Sequence, residues 1–211
     1  MEARREPDVR SEARRTEARP TDAATTRPSP RQRLLDAAID HIAEQGFGEM
    51  SLRQLAAAIG TSHRMLLYHF GSREELLVEI MRGFEARQRA VVADIVVDHL
   101  DDPRRMNRLI WRTLSSEALL PQVKAYFEVY GQALAAGPAA AEPLAQLLLD
   151  WLAPMEELER QRGSSPAKAR ANVRLGVAVM RGLLLDLAAT GDRKGCDAAY
   201  ERWIRHFDAD G

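Results

Sequence analysis

Leu34, Leu35, Ala38, Ile39 and Ile42 recur at intervals of three and four, the spacing that puts side chains on one face of a helix. This stripe predicts a first helix opening at Arg31, with Gly46 and Phe47 closing it by a hydrophobic contact past the cap. Ser51 with Gln54 three residues later fits a capping box. Leu52, Leu55, Ala56 and Ile59 follow at helical spacing, and Gly60 stands where a left-handed residue ends a helix. Thr61 and Ser62 can cap a second short helix from His63 to His69, which Gly71 breaks. Ser72 and Glu75 form another capping box, opening a long helix over 73–99 with Leu76, Leu77, Ile80, Phe84, Val91, Ile95 and Val96 inward.

Pro103 suits the first turn of a further helix. Helical segments are predicted through Trp111 to Leu119 and over 121–135, with Gly137-Pro138 as a turn. Two long amphipathic helices are expected near 140–161 and 166–189, separated by Gly163-Ser164-Ser165. Gly191 ends the second, and a last helix covers about 197–207. Residues 1–30 are rich in Arg, Glu, Pro and Thr and cannot bury enough apolar surface to order themselves, so a disordered tail is expected there. The division predicted is this tail, an ordered unit at 31–75 and a helical domain at 76–211.

Composition narrows the class. Ala, Leu, Arg and Glu dominate, which favours an all-α fold. The single cysteine, Cys196, rules out an internal disulfide and a multi-cysteine zinc site. The five histidines form no i, i+4 metal pair, no Gly-rich phosphate loop or nucleophile elbow is present, and neither metal, cofactor nor enzymatic activity is expected. No apolar run reaches the length of a membrane span, so the reading is a soluble, cytoplasmic protein. The net charge is −1, so any contact with nucleic acid must rest on a few placed side chains and helix N-termini.

Two short helices joined by a Gly-containing turn form a helix-turn-helix, whose second helix enters the DNA major groove. At roughly 100° per residue, Leu66 and Phe70 share an inward face while Arg64, Leu67 and Tyr68 point the other way, beside His63. Arg64 can pair bidentate with guanine and Leu67 can meet a thymine methyl. His69 and Arg73 would sit near phosphates, with the N–H groups around Ser62 and Ser72 holding others, and Arg53 could reach a base or a phosphate. The competing reading of the same stretch is an all-α adaptor using its helix-turn-helix for protein contacts.

Ser51, Arg53, Leu55-Ala56, Gly60, Ser62, the run Leu66-Leu67-Tyr68-His69-Phe70, Ser72, Arg73, Glu75 and Leu76 together resemble the TetR family of transcriptional regulators. The resemblance covers about residues 31–80. It implies a homodimeric repressor that binds palindromic operator DNA and is released by a small-molecule effector. The expected DNA-contacting set is Ser51, Arg53, Thr61, Ser62, His63, Arg64, Leu67, Tyr68, His69 and Arg73. Arg64 stands where the family usually has Gly, and Leu67 where it usually has a phosphate-contacting Tyr, so the operator sequence does not transfer from relatives.

The resemblance also implies an effector cavity in the C-terminal region. Trp111, Tyr126, Phe127, Tyr130, Trp151, Met155 and Met180 supply its aromatic and thioether candidates, of which Trp111, Tyr126, Tyr130 and Met180 are the expected lining, with Asn172 and Arg181 as polar candidates. The two long helices carry more apolar surface than one amphipathic face needs, as in LAQLLLDWL and LGVAVMRGLLLDL. Gly176, Ala178 and Gly182 permit close backbone approach, so a four-helix bundle across a two-fold axis is expected there, with Leu184 in the contact.

Overall fold

The computed structural model describes residues 28–207, which fold entirely as helices joined by turns, with no strand among the described residues. The first 27 residues of the expected tail lie outside the described residues. In chain order the helices are α1 (Pro30–Gln45), α2 (Leu52–Ala58), α3 (His63–Phe70), α4 (Arg73–Asp98), α5 (Pro103–Leu114), α6 (Leu120–Ala135), α7 (Pro138–Gln161), α8 (Pro166–Thr190) and α9 (Arg193–Phe207).

The polar residues that start these helices act as the spacing predicts. Ser29 already belongs to α1, its hydroxyl accepting from Gln32 N–H at 3.1 Å, so order begins before Arg31. The Ser51–Gln54 capping box is complete, with Ser51 N–H donating to Gln54 Oε1 at 2.9 Å and Gln54 N–H donating to Ser51 Oγ. Ser62 and Ser72 accept from Met65 and Glu75 N–H at 3.2 and 3.1 Å. The Ser72 box is only half formed, because Ser72 N–H turns to the Phe70 carbonyl. Gly71 takes φ +78° in the turn between α3 and α4, a backbone that a side chain would strain.

Helices of seven and eight residues are marginal alone, so α2 and α3 depend on packing. Ile39, Ile42, Leu55, Leu66, Leu76, Leu77 and Ile80 are almost completely buried in one core, each worth about 1.5–3 kcal/mol of removed apolar surface. That core does not stop at the third helix. It runs on through Phe84 into Tyr126, Val129 and Ala133 of α6 and Leu144 and Leu147 of α7. A second core forms from Val92, Met106, Ile110, Trp111, Leu184, Leu187, Tyr200 and Ile204.

Helix α4 passes from one core to the other, which explains one departure from the sequence reading. Val91 shares a face with Phe84, but that face has left the first core by Val91, which is 41% exposed, while the neighbouring Val92 is buried in the second core. A second departure is the end of α5 at Leu114 rather than Leu119. The buried Ser115 accepts from the Arg193 guanidinium on its hydroxyl oxygen at 2.8 Å and on its carbonyl, and turns fill the gap to α6. A third concerns Leu184, which is 4% exposed inside the chain and belongs to the second core, not to an outer face. Gly176, likewise, lets α8 approach Trp203 of α9, where an added Cβ would lie 3.2 Å from the ring. The outward apolar residues of α7 and α8 are Leu149, Leu175 and Leu185, with Ala178 and Gly182 also exposed.

Candidate functional site

The helix-turn-helix presents one side of α3 outward. Leu66 and Phe70 are buried, while Arg64 is exposed and Tyr68 is 78% exposed. Arg31 locks the inner side in place: its guanidinium lies 4.8 Å from the Phe70 ring centroid, donates to the His69 carbonyl and pairs with Glu79 at 3.0 Å. Ser51, Arg53 and Ser62 are exposed, and Thr61, His63 and His69 are half-buried around the same turn. The Ser51 and Ser62 hydroxyls are occupied by their caps.

Ion pairing separates the arginines of this region. Arg31, Arg82 and Arg87 are bound to carboxylates, and Arg33 to the Pro28 carbonyl. Arg53 and Arg64 make no such contact among the described residues, and both are exposed. A solvated guanidinium on a short helix beside a bare tyrosine leaves its five donors free for an acceptor-rich partner.

Two expected contacts are placed differently. Leu67 does not stand out with Arg64, because it is half-buried against the first core. Arg73 is turned to α6, where it donates to Gln132 Oε1 and lies 5.9 Å from the Phe47 ring centroid. Gln132 in turn donates to the Gly48 carbonyl, and Glu128 accepts from Phe47 and Gly48 N–H. The loop after α1 and the start of α4 are thereby fastened to α6.

The second core encloses a cavity of about 320 Å³ between α4, α5, α7, α8 and α9. Of the four residues expected to line it, only Met180 does, joined by the polar candidates Asn172 and Arg181. Trp111 is packed away, stacked on Tyr200 with centroids 4.8 Å apart and donating its indole N–H to Asp197 at 2.7 Å. Tyr126 and Tyr130 stack on each other on the α6 side of the first core, with Tyr126 donating to Glu85 at 2.8 Å. The cavity's aromatic walls are Trp151, Tyr200 and Trp203. Of these, Trp151 sits among the sequence's aromatic candidates, whereas Trp203 has no local pattern marking it.

Among the described residues Glu85 is the one carboxylate in the core, 1% exposed. Its Oε1 accepts from the Arg181 guanidinium and the Tyr126 hydroxyl, both at 2.8 Å. Burial pushes the Glu85 carboxyl upward, with the Arg181 charge pulling against it. Three helices, α4, α6 and α8, therefore meet in one polar knot at the cavity wall.

The geometry defines an all-helical protein with a helix-turn-helix reader and an internal cavity. Residues 34–80 match the family described as bacterial regulatory proteins, tetR family. The match is confined to the helix-turn-helix region, from α1 into the first turns of α4. The repressor KstR2 of Rhodococcus jostii RHA1 is 33% identical over 100 residues, 47% of this chain and 48% of the relative, so the chain spans about half the length of the curated relative it matches. A transcriptional regulator from Rhodococcus sp. Rha1 shares the fold at TM-score 0.70 and 20% identity, covering 86% of this chain and 97% of its own. The multidrug binding protein EbrR, solved with ethidium, superposes at TM-score 0.63 and 28% identity, covering 85% of this chain and 98% of its own. No helix among the described residues is long and apolar enough to cross a membrane.

Proposed function

We propose that this chain is a DNA-binding transcriptional repressor, acting as a homodimer on a palindromic operator in the cytoplasm and released by a small-molecule effector. The observation that carries the reading is the pair of unneutralised, exposed guanidinium groups, Arg53 and Arg64, beside the bare Tyr68 on a helix-turn-helix. Arg64 reads base edges, Arg53 reaches a base or phosphate, and Ser51, Thr61, Ser62, His63 and His69 frame the surface with backbone N–H and polar contacts. Leu67 buttresses α3 from behind, and Arg73 positions the reader against α6 rather than touching DNA.

The exposed Leu149, Leu175 and Leu185 on α7 and α8, with Ala178 and Gly182 on the same helices, favour a two-fold contact between copies. The cavity behind them supplies the effector site. Curated relatives that are themselves repressors support the direction of regulation. Footprinting of the purified protein on the intergenic DNA flanking its own gene tests the reading. A protected, two-fold symmetric site is expected, and protection no stronger than on unrelated DNA overturns it.

A further inference from the structure

Behind the cavity wall formed by Arg181 and Trp151, two guanidinium groups lie near one buried carboxylate. Arg181 lines the cavity and pairs with Glu85, while Arg89 lies over the Trp151 ring at 5.8 Å and also acts on Glu85. Two guanidinium groups thus share one carboxylate. Arg89 Nη1 and the Trp151 indole N–H are both buried donors with no acceptor among the described residues. A buried donor left without an acceptor costs about 1–3 kcal/mol, so an arriving acceptor is favoured there. Even a direct contact between Arg89 and the second Glu85 oxygen, itself without a partner, would leave one positive charge over.

Charged side chains also line the cavity away from Arg181: Arg104, Arg162 and Lys168 come from the start of α5, the end of α7 and the first turn of α8, and Arg162 is paired with the lining Glu159 at 3.1 Å. Between these groups the walls are apolar, with Ile110, Met155, Met180, Leu184 and Trp203.

We infer that the cavity takes an amphipathic carboxylate, bound head first, with its anion on Arg181 and the Trp151 indole N–H and its apolar body against Met180 and Leu184. The inference rests on the effector reading above and gives it a ligand chemistry. A carboxylate matches the guanidinium fork with two oxygens, and it enters in competition with Glu85 for Arg181. The ligand thereby loosens the tie between α8 and α4.

Titration of the purified full chain with decanoate, decanol and decyltrimethylammonium, followed by calorimetry, separates the head groups on one apolar tail. Decanoate should bind about tenfold or more tighter than decanol, the ratio of a charge-assisted hydrogen bond, and the ammonium should bind more weakly still. Arg181→Met should bring decanoate down to decanol, and Arg181→Lys should restore part of the preference. Trp151→Phe, which keeps the ring and removes only the N–H, should weaken decanoate several-fold and leave decanol unchanged, and it decides the matter should Arg181→Met fail to fold. Equal or tighter binding of decanol or the ammonium, or binding of none of the three, overturns the inference. So does a preference that survives Arg181→Met and vanishes in Arg162→Ala. A footprint on the flanking DNA without carboxylate preference leaves the repressor reading standing and removes this one; carboxylate preference without a footprint does the reverse.

Discussion

The carboxylate of Glu128, on α6, accepts the backbone N–H of Phe47 at 2.6 Å, and the same oxygen accepts Gly48 N–H at 3.0 Å. A side chain from the sixth helix thus closes the turn that follows the first. Glu128→Ala removes a charged acceptor from two N–H groups and should lower stability by about 1–2 kcal/mol, while Glu128→Gln keeps an oxygen in place and should cost less. Urea unfolding checks both, with a shifted midpoint at unchanged slope as the expected signature.

Arg64→Ala should weaken operator binding by about 1–3 kcal/mol and relax the preference at one base pair in each half-site. Because Arg64 has no partner among the described residues to lose, thermal stability should stay within about 0.5 kcal/mol of wild type. Binding to a set of half-site variants, measured beside the melting curve, distinguishes a reading residue from a folding one. Unchanged preference across the set would remove Arg64 from direct readout.

Two adjacent leucines on α8 should behave oppositely. Leu185 is 49% exposed and Leu184 is 4% exposed. Leu185→Glu should leave the helical spectrum intact and move the mass seen by light scattering from dimer toward monomer. Leu184→Glu places a carboxylate in the second core and should cost about 3 kcal/mol or more, unfolding the domain before any question of assembly arises. A dimer that persists in Leu185→Glu and in Leu175→Glu would place the two-fold contact elsewhere.

Glu85 makes stability depend on pH in a direction opposite to an ordinary salt-bridged acid. Its carboxyl is raised above the value of 4.5 by burial, so the folded state binds the proton more tightly than the unfolded state does. The stability this contributes is complete below about pH 4.5 and is lost as pH rises through the folded value. Glu85→Gln cannot titrate and still offers an oxygen to Tyr126. Its stability relative to wild type should therefore improve from pH 4 upward and level off once wild-type Glu85 is ionised. Denaturant midpoints of the two proteins at several pH values should diverge in that sense, and a constant gap would contradict the assignment.

Helix starts at α2, α3 and α4 were legible because capping is local: Ser51, Ser62 and Ser72 each bond an N–H three residues on, and the sequence displays both partners. The buried pair Leu66 and Phe70 of α3 followed from the helical angle, whereas Leu67, set outward by the same angle, packs half-buried against the core. What escaped were relationships set across helices. Trp111 looked like a cavity wall until Asp197, 86 residues on, supplied an acceptor for its indole N–H. Arg73 looked like a phosphate contact, and Gln132 on α6 takes it. Val91 kept the right spacing on a helix that had already changed cores. Spacing tells which residues share a face; it is silent on what that face meets.

Helix α4 runs unbroken for 26 residues, with Arg73 at its start and Glu85 twelve residues further along. At about 1.5 Å per residue those twelve residues make a lever arm of roughly 18 Å. A tilt of about 5° at the Glu85 fulcrum carries the reader by roughly 1.6 Å at that rise per residue. Two such arms swinging in opposite senses would double the change in span between the heads, against hydrogen bonds to bases that weaken within a few tenths of an ångström. On the proposed dimer, with the fulcrum beside the cavity, a small displacement at the pocket would take both heads out of register with the groove.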